Sequence, residues 1–357
     1  MRRPLALFAA LAGVLLISLP TATALPKLIA PGQAAKCGPT GNRFCAGSAT
    51  ADITPPVTSP QFAYTFRHCA VATPVDAASH AVGAQDHVEE FAFWLAGGGP
   101  GCTQPDAEAY SKTFPPSEGT YGRLQANAFV LDDGSGRRVA IVQADLGGIP
   151  GELHDAVAAR TRAVGIDVDN LMISATHTHG SVGGIFAGGG YAALGGDLYD
   201  QRIVDAVAGG IANAVIRAAG KLAPSKLAIG FSEINGANGN RQTGAWSLNP
   251  EARDAIDGPQ ATRLMVIRID RYDGLPLGVI TNFTNHGVIH GTFNYFLTGD
   301  NQGQATRQVS RAIRARAQAA GIDIPDDWQI VDTLTNGPAG DITPRSDDGG
   351  WSWKAYG

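Results

Sequence analysis

Two histidines separated by a single residue are the strongest sign of chemistry in this sequence. His177 and His179 lie in the segment Thr176-His177-Thr178-His179, between a short apolar run and a glycine-rich stretch. If the extended backbone of that run continues, both side chains point to the same side, because side chains alternate along a strand. Imidazole nitrogens are common zinc ligands. The segment therefore predicts part of a zinc site at a strand end, the alternative being two surface histidines beside a loop.

A second candidate cluster follows another apolar run and contains two more histidines. His286 closes the segment 282–286 and could supply a further metal ligand, while His290 is interpreted as a loop residue or an outer partner of the site. Asp300 comes 14 residues after His286. It has two open interpretations, the N-cap of a helix or a catalytic carboxylate.

Four further polar positions are candidates for work on a substrate. Asp341 and Thr343 lie in a loop stiffened by glycine and proline, where they could orient a water molecule or an imidazole. The alternative for this loop is an ordinary turn. Arg241 could bind a carboxylate or polarise a carbonyl oxygen. Asp145 ends a predicted strand, and the alternative for both Arg241 and Asp145 is a solvated surface charge.

The elements that must position these residues alternate between strand and helix patterns. Apolar residues of the segment 200–219 recur at helical spacing, and the segments 124–131 and 138–145 read as a hairpin. The predicted strands are 46–53, 124–131, 138–145, 171–175, 226–234, 263–270, 277–283 and 328–334, and the predicted helices are 152–164, 200–219 and 302–320. This order predicts a layered α/β (α+β) fold with mixed β-sheets, flanking helices and a zinc site at strand ends.

Composition and the N-terminus indicate an exported globular protein. The 357 residues are 44% hydrophobic and carry a net charge of −5, which allows a sizeable core and argues against nucleic acid as a partner. Arg2 and Arg3 precede an apolar run at 5–19 and the small residues 22–24, so residues 1–24 are predicted to be a cleaved signal peptide. The run is shorter than the roughly 20 residues that span a bilayer. The protein is therefore expected to be secreted or to have another extracytoplasmic location.

The four cysteines are predicted to form disulfides. Their even number, without any pair spaced by two residues, favours disulfides over metal binding in an exported chain. The local pairing joins Cys37 to Cys45 and Cys69 to Cys102, and it is one of three connectivities that four cysteines allow. Residues 25–45 are predicted to be an extended lead-in, and residues 57–120 a surface insertion.

From about Ala46 to its end, the chain resembles the neutral/alkaline, non-lysosomal ceramidase family. The most specific similarity is at 170–184, where the family motif normally reads THTHSGPGG and this chain reads THTHGSVGG. The spacing from His286 to Asp300-Asn301 is also similar, although Gly287 stands where the family usually has proline. Further similarities lie at 51–55, at the Asn-Arg segment 238–250 and at the Gly-Asp loop 340–344.

The resemblance implies a function and a set of site residues. It implies that His177 and His286 are zinc ligands and that His179 and Arg241 line the site, with Arg241 binding substrate. Asp341 corresponds to an essential loop aspartate, and Thr343 occupies the position of a serine that has been proposed as catalytic. Threonine keeps the hydroxyl and adds a methyl group. The implied catalytic set is His179, Asp341 and Thr343, with Zn²⁺ as cofactor.

The implied reaction is hydrolysis of the N-acyl amide bond of ceramide-like lipids. The expected partners are ceramide or another N-acyl lipid, with contact to a membrane or micelle surface. In the family, a glutamate and a tyrosine beyond the Gly-Asp loop complete the zinc coordination, and an immunoglobulin-like domain follows. Residues 46–357 are therefore expected to be the N-terminal part of the catalytic domain, without that remainder.

Other functions remain open from the sequence. One is a non-catalytic secreted binding protein with a degenerate metal site, and another is a zinc hydrolase of a different amide or ester. A metallo-β-lactamase-like site is disfavoured because Ser181 stands where that site needs an aspartate. An amidohydrolase barrel is disfavoured because its paired histidines belong near the first strand.

Overall fold

The computed structural model describes residues 37, 43–55, 63–64, 75–76, 119–187, 199, 201–253, 258–290 and 296–345. The predicted signal peptide, most of the predicted lead-in and nearly all of the predicted insertion at 57–120 lie outside these residues, as do Cys69 and Cys102. Cys37 and Cys45 form a disulfide, which confirms that half of the local pairing.

Fourteen strands and four α-helices occur in the described part of the chain. The strands are β1 (Cys45–Asp52), β2 (Ala63–Tyr64), β3 (Val75–Asp76), β4 (Gly119–Thr120), β5 (Gln125–Asp132), β6 (Arg138–Ala144), β7 (Leu171–Ala175), β8 (Ala223–Glu233), β9 (Asn238–Asn240), β10 (Arg263–Arg271), β11 (Pro276–Phe283), β12 (Phe296–Leu297), β13 (Val331–Asn336) and β14 (Ile342–Pro344). The helices are α1 (Gly151–Thr161), α2 (Gln201–Ala219), α3 (Thr243–Trp246) and α4 (Asp300–Ala319).

The main sheet has eight strands in the order β13-β11-β10-β8-β1-β5-β6-β7. These are the eight strands predicted from the sequence, and α1, α2 and α4 are the three predicted helices. Most neighbours are antiparallel, but β6 pairs in parallel with β7 and β11 pairs in parallel with β13. The mixed sheet with flanking helices confirms the predicted α/β fold class.

The sheet folds back on itself, so that its two halves face each other. β13, at one edge of the strand order, packs against β5, β6 and β7 at the other edge. Helix α2 covers β1 and β5 from outside, α1 packs on α2, and α4 covers β11 and β13. The result is four layers, helix–sheet–sheet–helix. The apolar core between the two sheet halves consists of Ala46, Phe129, Ile269, Leu277, Ile280 and Val331.

This folding brings together the carboxyl ends of the two parallel strand pairs. The segments that leave β6 and β7 contain Asp145 and His177, and the segments that leave β11 and β13 contain His286 and Asp341. A hydrogen bond from the Asn336 backbone to Ser174 Oγ (3.4 Å) joins the two edges directly. Side chains far apart in the sequence therefore lie near one another at a single end of the molecule.

A buried carboxylate in β13 makes stability depend on pH. Asp332 of β13 is 1% exposed, and its Oδ1 accepts a hydrogen bond from the Thr281 hydroxyl (2.8 Å). Its Oδ2 has no partner among the described residues. Burial raises the pKa of Asp332 to about 7, with the Thr281 hydrogen bond acting in the opposite direction. The folded state therefore binds a proton that the unfolded chain releases near pH 4.

We expect Asp332→Asn to stabilise the protein at alkaline pH. A raised folded-state pKa gives stability that is present below the unfolded pKa and is lost as pH rises through about 7. At pH 8.5 the variant should exceed the parent in unfolding free energy by about 2–4 kcal/mol, and the difference should shrink at pH 4.5. Urea unfolding at both pH values measures this. Asp326→Asn, at an exposed position, is the control. A pH-independent difference for Asp332→Asn would contradict the prediction.

Candidate metal centre

Three histidines from two distant segments converge at the joined strand ends. His177, His179 and His286 each offer one ring nitrogen, and these three atoms lie within 4.8 Å of one another. The Nε2 atoms of His179 and His286 are 3.1 Å apart. The ring centroids are separated by 4.5–5.1 Å. Three imidazoles at this spacing could hold a metal ion.

His177 reaches the cluster by a turn of the backbone and not by a continuing strand. β7 ends at Ala175, and His177 has a φ of +59°. The extended backbone on which the sequence argument was conditional therefore ends before His177, although the two rings do converge. Histidine tolerates this left-handed region better than most residues do. Such conformations cost about 1–3 kcal/mol and are concentrated at functional sites.

A backbone carbonyl fixes the ring of His177. Its Nδ1 is 2.6 Å from the carbonyl oxygen of Gly147, in the segment that leaves β6. Because a carbonyl only accepts hydrogen bonds, Nδ1 must carry the proton, which leaves the Nε2 lone pair of the neutral ring free. The Gly147 amide in turn donates to Ser181 Oγ (2.9 Å). Metal-binding histidines are commonly oriented by such a second contact.

The ring of His286 is held in the same way from the other side. Its Nδ1 donates to the carbonyl oxygen of Ala339 (2.8 Å), in the segment that leaves β13. The carbonyl oxygen of His286 itself accepts a hydrogen bond from Asn301 Nδ2 (3.1 Å), at the start of α4. His177 and His286 therefore both present Nε2 to the centre of the cluster.

The two histidine-bearing segments touch each other at Gly287. Thr178 and Gly287 form an isolated parallel bridge, and the His179 amide donates to the Gly287 carbonyl oxygen (2.9 Å). A Cβ atom at position 287 would lie 2.6 Å from the His177 carbonyl oxygen and 2.7 Å from Thr178 Cα. Glycine at this position therefore allows the close approach that places His286 beside the other two histidines.

The surroundings of the cluster favour neutral imidazoles. Burial, followed by the charges of His177, His286 and Arg241, lowers the pKa of His179 to about 3. Burial also lowers the pKa of His286 to about 4, with smaller contributions from His177 and Arg241, while its hydrogen bonds to backbone carbonyls act in the opposite direction. A neutral imidazole keeps a lone pair, and that is the state a metal ligand or a proton acceptor needs.

Arg241 and Asp341 lie in segments that pair with each other beside the cluster. Arg241 Nη2 donates to the Gly340 carbonyl oxygen (2.7 Å), and its backbone amide donates to the Asp341 carbonyl oxygen (2.8 Å). Asp341 Oδ2 accepts a hydrogen bond from Asn240 Nδ2 (2.6 Å). The Arg241 side chain is exposed, and its charge contributes to the low pKa values of His179 and His286.

Thr343 is fully buried in β14. Its residue pairs with Gly239 of β9, and its hydroxyl has no hydrogen-bond partner among the described residues. Within the same residues, no hydrogen bond joins it to the three histidines. The structure thus brings Arg241 and Asp341 together and leaves the Thr343 hydroxyl unpaired in the buried strand beside them.

Asp300 and Asp145 are both buried and serve the framework around the site. Asp300 is the first residue of α4 and Gly299 is its N-cap, so the observed N-cap lies one residue before the predicted Asp300. Its carboxylate accepts hydrogen bonds from the backbone amides of Ile289 (3.1 Å), His290 (3.2 Å) and Asn301 (2.6 Å). Asp145 is 1% exposed, so its interpretation as a solvated surface charge is wrong.

The donor set fits a divalent transition metal such as zinc. The Nε2 atoms of His177 and His286 are available, both rings are oriented by backbone carbonyls, and the depressed pKa of His286 keeps its ring neutral. Zinc prefers neutral imidazole nitrogen in closely spaced sets of ligands.

Sequence reasoning missed the backbone groups that orient the rings. Gly147 and Ala339 contribute carbonyl oxygens, which no side-chain pattern reveals. Ser181 and Asn301 contribute side chains, and both lie in segments that the sequence singles out for other reasons. For Gly147, Ala339 and Ser181, the position after a strand end was the available signal.

Comparisons with known proteins agree on one family. Residues 102–351 match the model of "neutral/alkaline non-lysosomal ceramidase, N-terminal". Neutral ceramidase of Pseudomonas aeruginosa is 32% identical over 203 residues, covering 55% of this chain and 30% of that protein. Neutral ceramidase of Mycobacterium tuberculosis is 29% identical over 245 residues, covering 67% of this chain and 37% of that protein. The chain thus spans about a third of the length of these relatives.

The fold has a similar solved structure. The crystal structure of neutral ceramidase from Pseudomonas aeruginosa superimposes with a TM-score of 0.62 at 23% sequence identity. The match covers 85% of this chain and 39% of that one. At this identity, the likeness concerns the fold.

Proposed function

Because the chain belongs to the neutral/alkaline non-lysosomal ceramidase family, we propose that it takes part in zinc-dependent hydrolysis of the N-acyl amide bond of ceramide-like lipids. The products would be a sphingoid base and a fatty acid. The observation that carries the proposal is the cluster of His177, His179 and His286, with ligand atoms within 4.8 Å, in the segments that carry the family similarity.

In this proposal, His177 and His286 hold the metal ion through Nε2. Both rings have their Nδ1–H groups engaged by backbone carbonyls, so only Nε2 is left to bind. When bound, a zinc ion supplies Lewis-acid chemistry, polarising a carbonyl and increasing the acidity of water.

The other residues act on protons and on developing charge. His179 is neutral at physiological pH because burial lowers its pKa to about 3, so its ring keeps a lone pair on the side of the proposed reaction. Asp341 is the other candidate for handling protons, and Arg241 stabilises negative charge that develops on the amide oxygen or holds the polar head of the lipid. Thr343 supplies a hydroxyl whose hydrogen-bonding capacity is unused among the described residues.

The proposal also includes an extracytoplasmic location and contact with a lipid surface. A lipid amide is presented in a bilayer or micelle, so the substrate requires peripheral contact with such a surface. The Cys37–Cys45 disulfide supports an extracytoplasmic location, because disulfides persist in oxidising compartments. In the part of the chain that the structure describes, none of the helices has the length and apolarity to cross a membrane.

Removal and return of zinc test the proposed activity. We expect the protein to contain zinc, to release a fluorescent fatty acid from a ceramide labelled on its acyl chain, and to lose this activity after dialysis against a chelator. Return of Zn²⁺ should restore it, because the rings of His177 and His286 are held in place by backbone carbonyls. Mass spectrometry of the metal and chromatography of the released acid are the measurements.

The control substrate is the matching ester, and the control protein is the His154→Gln variant. His154 lies in α1, where its Nε2 contacts the Leu171 carbonyl oxygen (3.0 Å), outside the histidine cluster. Hydrolysis of the ester without the amide would indicate a different zinc hydrolase. Zinc-free protein that binds ceramide without cleaving it would indicate a non-catalytic binding protein.

A further inference from the structure

A buried carboxylate lies between the two segments that carry the candidate metal ligands. Asp145 follows β6, and its Oδ2 accepts a hydrogen bond from the Gln125 amide (3.0 Å). Its Oδ1 accepts one from Gln143 Nε2 (2.8 Å), and Gln143 Oε1 accepts one from Asn127 Nδ2 (2.7 Å). The carboxylate is therefore anchored to β5 and β6 by a largely buried set of polar groups.

The opposite side of the same carboxylate contacts the first turn of α4. A Cβ at Gly299 would lie 2.6 Å from Asp145 Oδ2, and a Cβ at Gly303 would lie 3.0 Å from Oδ1. Arg307, one turn further along the helix, places Nη1 3.7 Å from Oδ2. The Asp145 carboxylate thus packs against two glycines and an arginine at the start of α4. The positive end of the helix dipole favours a carboxylate at this position.

The two elements that meet at Asp145, the end of β6 and the start of α4, each contact one of the two histidines. On the β6 side, Asp145 is followed by Gly147, whose carbonyl oxygen orients His177. On the helix side, Asn301 donates to the His286 carbonyl oxygen (3.1 Å), and Gln302 donates to the Asn285 carbonyl oxygen (2.7 Å). The helix turn that carries these two side chains also contains Gly299 and Gly303, which contact Asp145.

We propose that Asp145, together with Arg307, is a positioning pair that sets the separation of His177 and His286. The pair clamps the start of α4 to the end of β6. His177 contacts the segment after β6 through the Gly147 carbonyl oxygen, and His286 contacts the start of α4 through Asn301. Asp145 does not touch the metal or the substrate. The inference rests on the proposed function, because it takes the two histidines as metal ligands.

If Asp145 and Arg307 served folding alone, their replacement in a protein that stays folded would leave zinc binding unchanged. Replacing a buried ion pair by apolar residues is often neutral or stabilising, so the pair need not be retained for stability. Burial raises the pKa of Asp145 to about 6, and Arg307 acts in the opposite direction, so at pH 7.5 the carboxylate is mostly ionised and the clamp is present. Loss of the clamp should therefore appear at the metal site even in variants that stay folded.

The test compares Asp145→Ala with Asp132→Ala. Asp132 is an equally buried aspartate at the far end of the β5–β6 hairpin, paired with Arg138 (3.3 Å). Both variants should lose stability, but only Asp145→Ala should weaken zinc binding, by about tenfold or more, as outer partners of metal ligands typically do. Competition with a chromophoric chelator measures the affinity. The Co²⁺-loaded protein adds an absorption spectrum that reports ligand geometry, which should change in Asp145→Ala alone.

A second variant keeps the test decisive if Asp145→Ala fails to fold. Arg307→Gln breaks the same clamp at a side chain that is 21% exposed, and it should produce the same spectral change with a smaller loss of zinc affinity. Unchanged zinc affinity and Co²⁺ spectrum in folded Asp145→Ala or Arg307→Gln would overturn the positioning role alone. Failure of the unmodified chain to bind zinc would overturn the proposed function and this role with it.

Discussion

Replacement of His177 by alanine is expected to lower zinc affinity by more than about 100-fold and to abolish amide hydrolysis. Loss of an outer partner of a metal ligand already costs about 10- to 100-fold, so loss of the ligand itself should exceed that range. The variant removes a ring whose Nδ1 is fixed by Gly147 and whose Nε2 points into the cluster. Equilibrium zinc titration and release of labelled fatty acid are the measurements, with the His154→Gln variant expected to behave like the parent. Stoichiometric zinc in the His177→Ala protein would contradict the assignment.

The comparison with His179→Ala separates two roles that the geometry allows. All three histidines could bind the metal, whereas the family resemblance places His179 in the catalytic set and not among the zinc ligands. If His179 handles protons, His179→Ala should keep zinc within a few-fold of the parent and lose hydrolysis. If His179 is a third ligand, its zinc affinity should fall as far as that of His177→Ala. The two results are distinct because zinc binding and turnover are measured separately.

Gly287→Ala is expected to damage the metal site through the backbone. The added Cβ would lie within 2.6–2.8 Å of three backbone atoms of His177 and Thr178, and none of these can rotate away. The two histidine-bearing segments must therefore separate. We expect a loss of about 1–3 kcal/mol in unfolding free energy, as for other overpacked sites. We also expect at least about a tenfold loss of zinc affinity, because His286 moves with the segment.

The matched control for this prediction is Gly340→Ala. Gly340 lies in the loop beside the site, and a Cβ there would meet no atom within 4 Å. Its contact with Arg241 uses the backbone carbonyl, which the substitution preserves. Thermal unfolding and zinc titration should leave Gly340→Ala close to the parent. Parental zinc affinity in Gly287→Ala would show that the close approach at Thr178 is not needed for the site.

Local patterns in the sequence identified most of the framework. Alternating and continuous apolar runs predicted the eight strands of the main sheet, and helical spacing predicted α1, α2 and α4. These patterns are informative because burial of one face imposes a period of two on a strand and 3.6 on a helix. Short elements such as β9 and β14 carry too few residues to show a period, so the contact between Arg241 and Asp341 could not be predicted.

For His177 and His179, the sequence predicted a candidate metal site but not the contacts that form it. The sequence by itself determined that histidines follow strand ends and that the chain resembles one family of enzymes. Only the tertiary structure decided that His286 lies 3.1 Å from His179 across 107 residues of chain, that His177 turns through a left-handed backbone, and that two carbonyl oxygens fix the rings. The physical reason is that these contacts depend on how the sheet folds back on itself. That folding is set by packing between distant strands and has no period in the sequence.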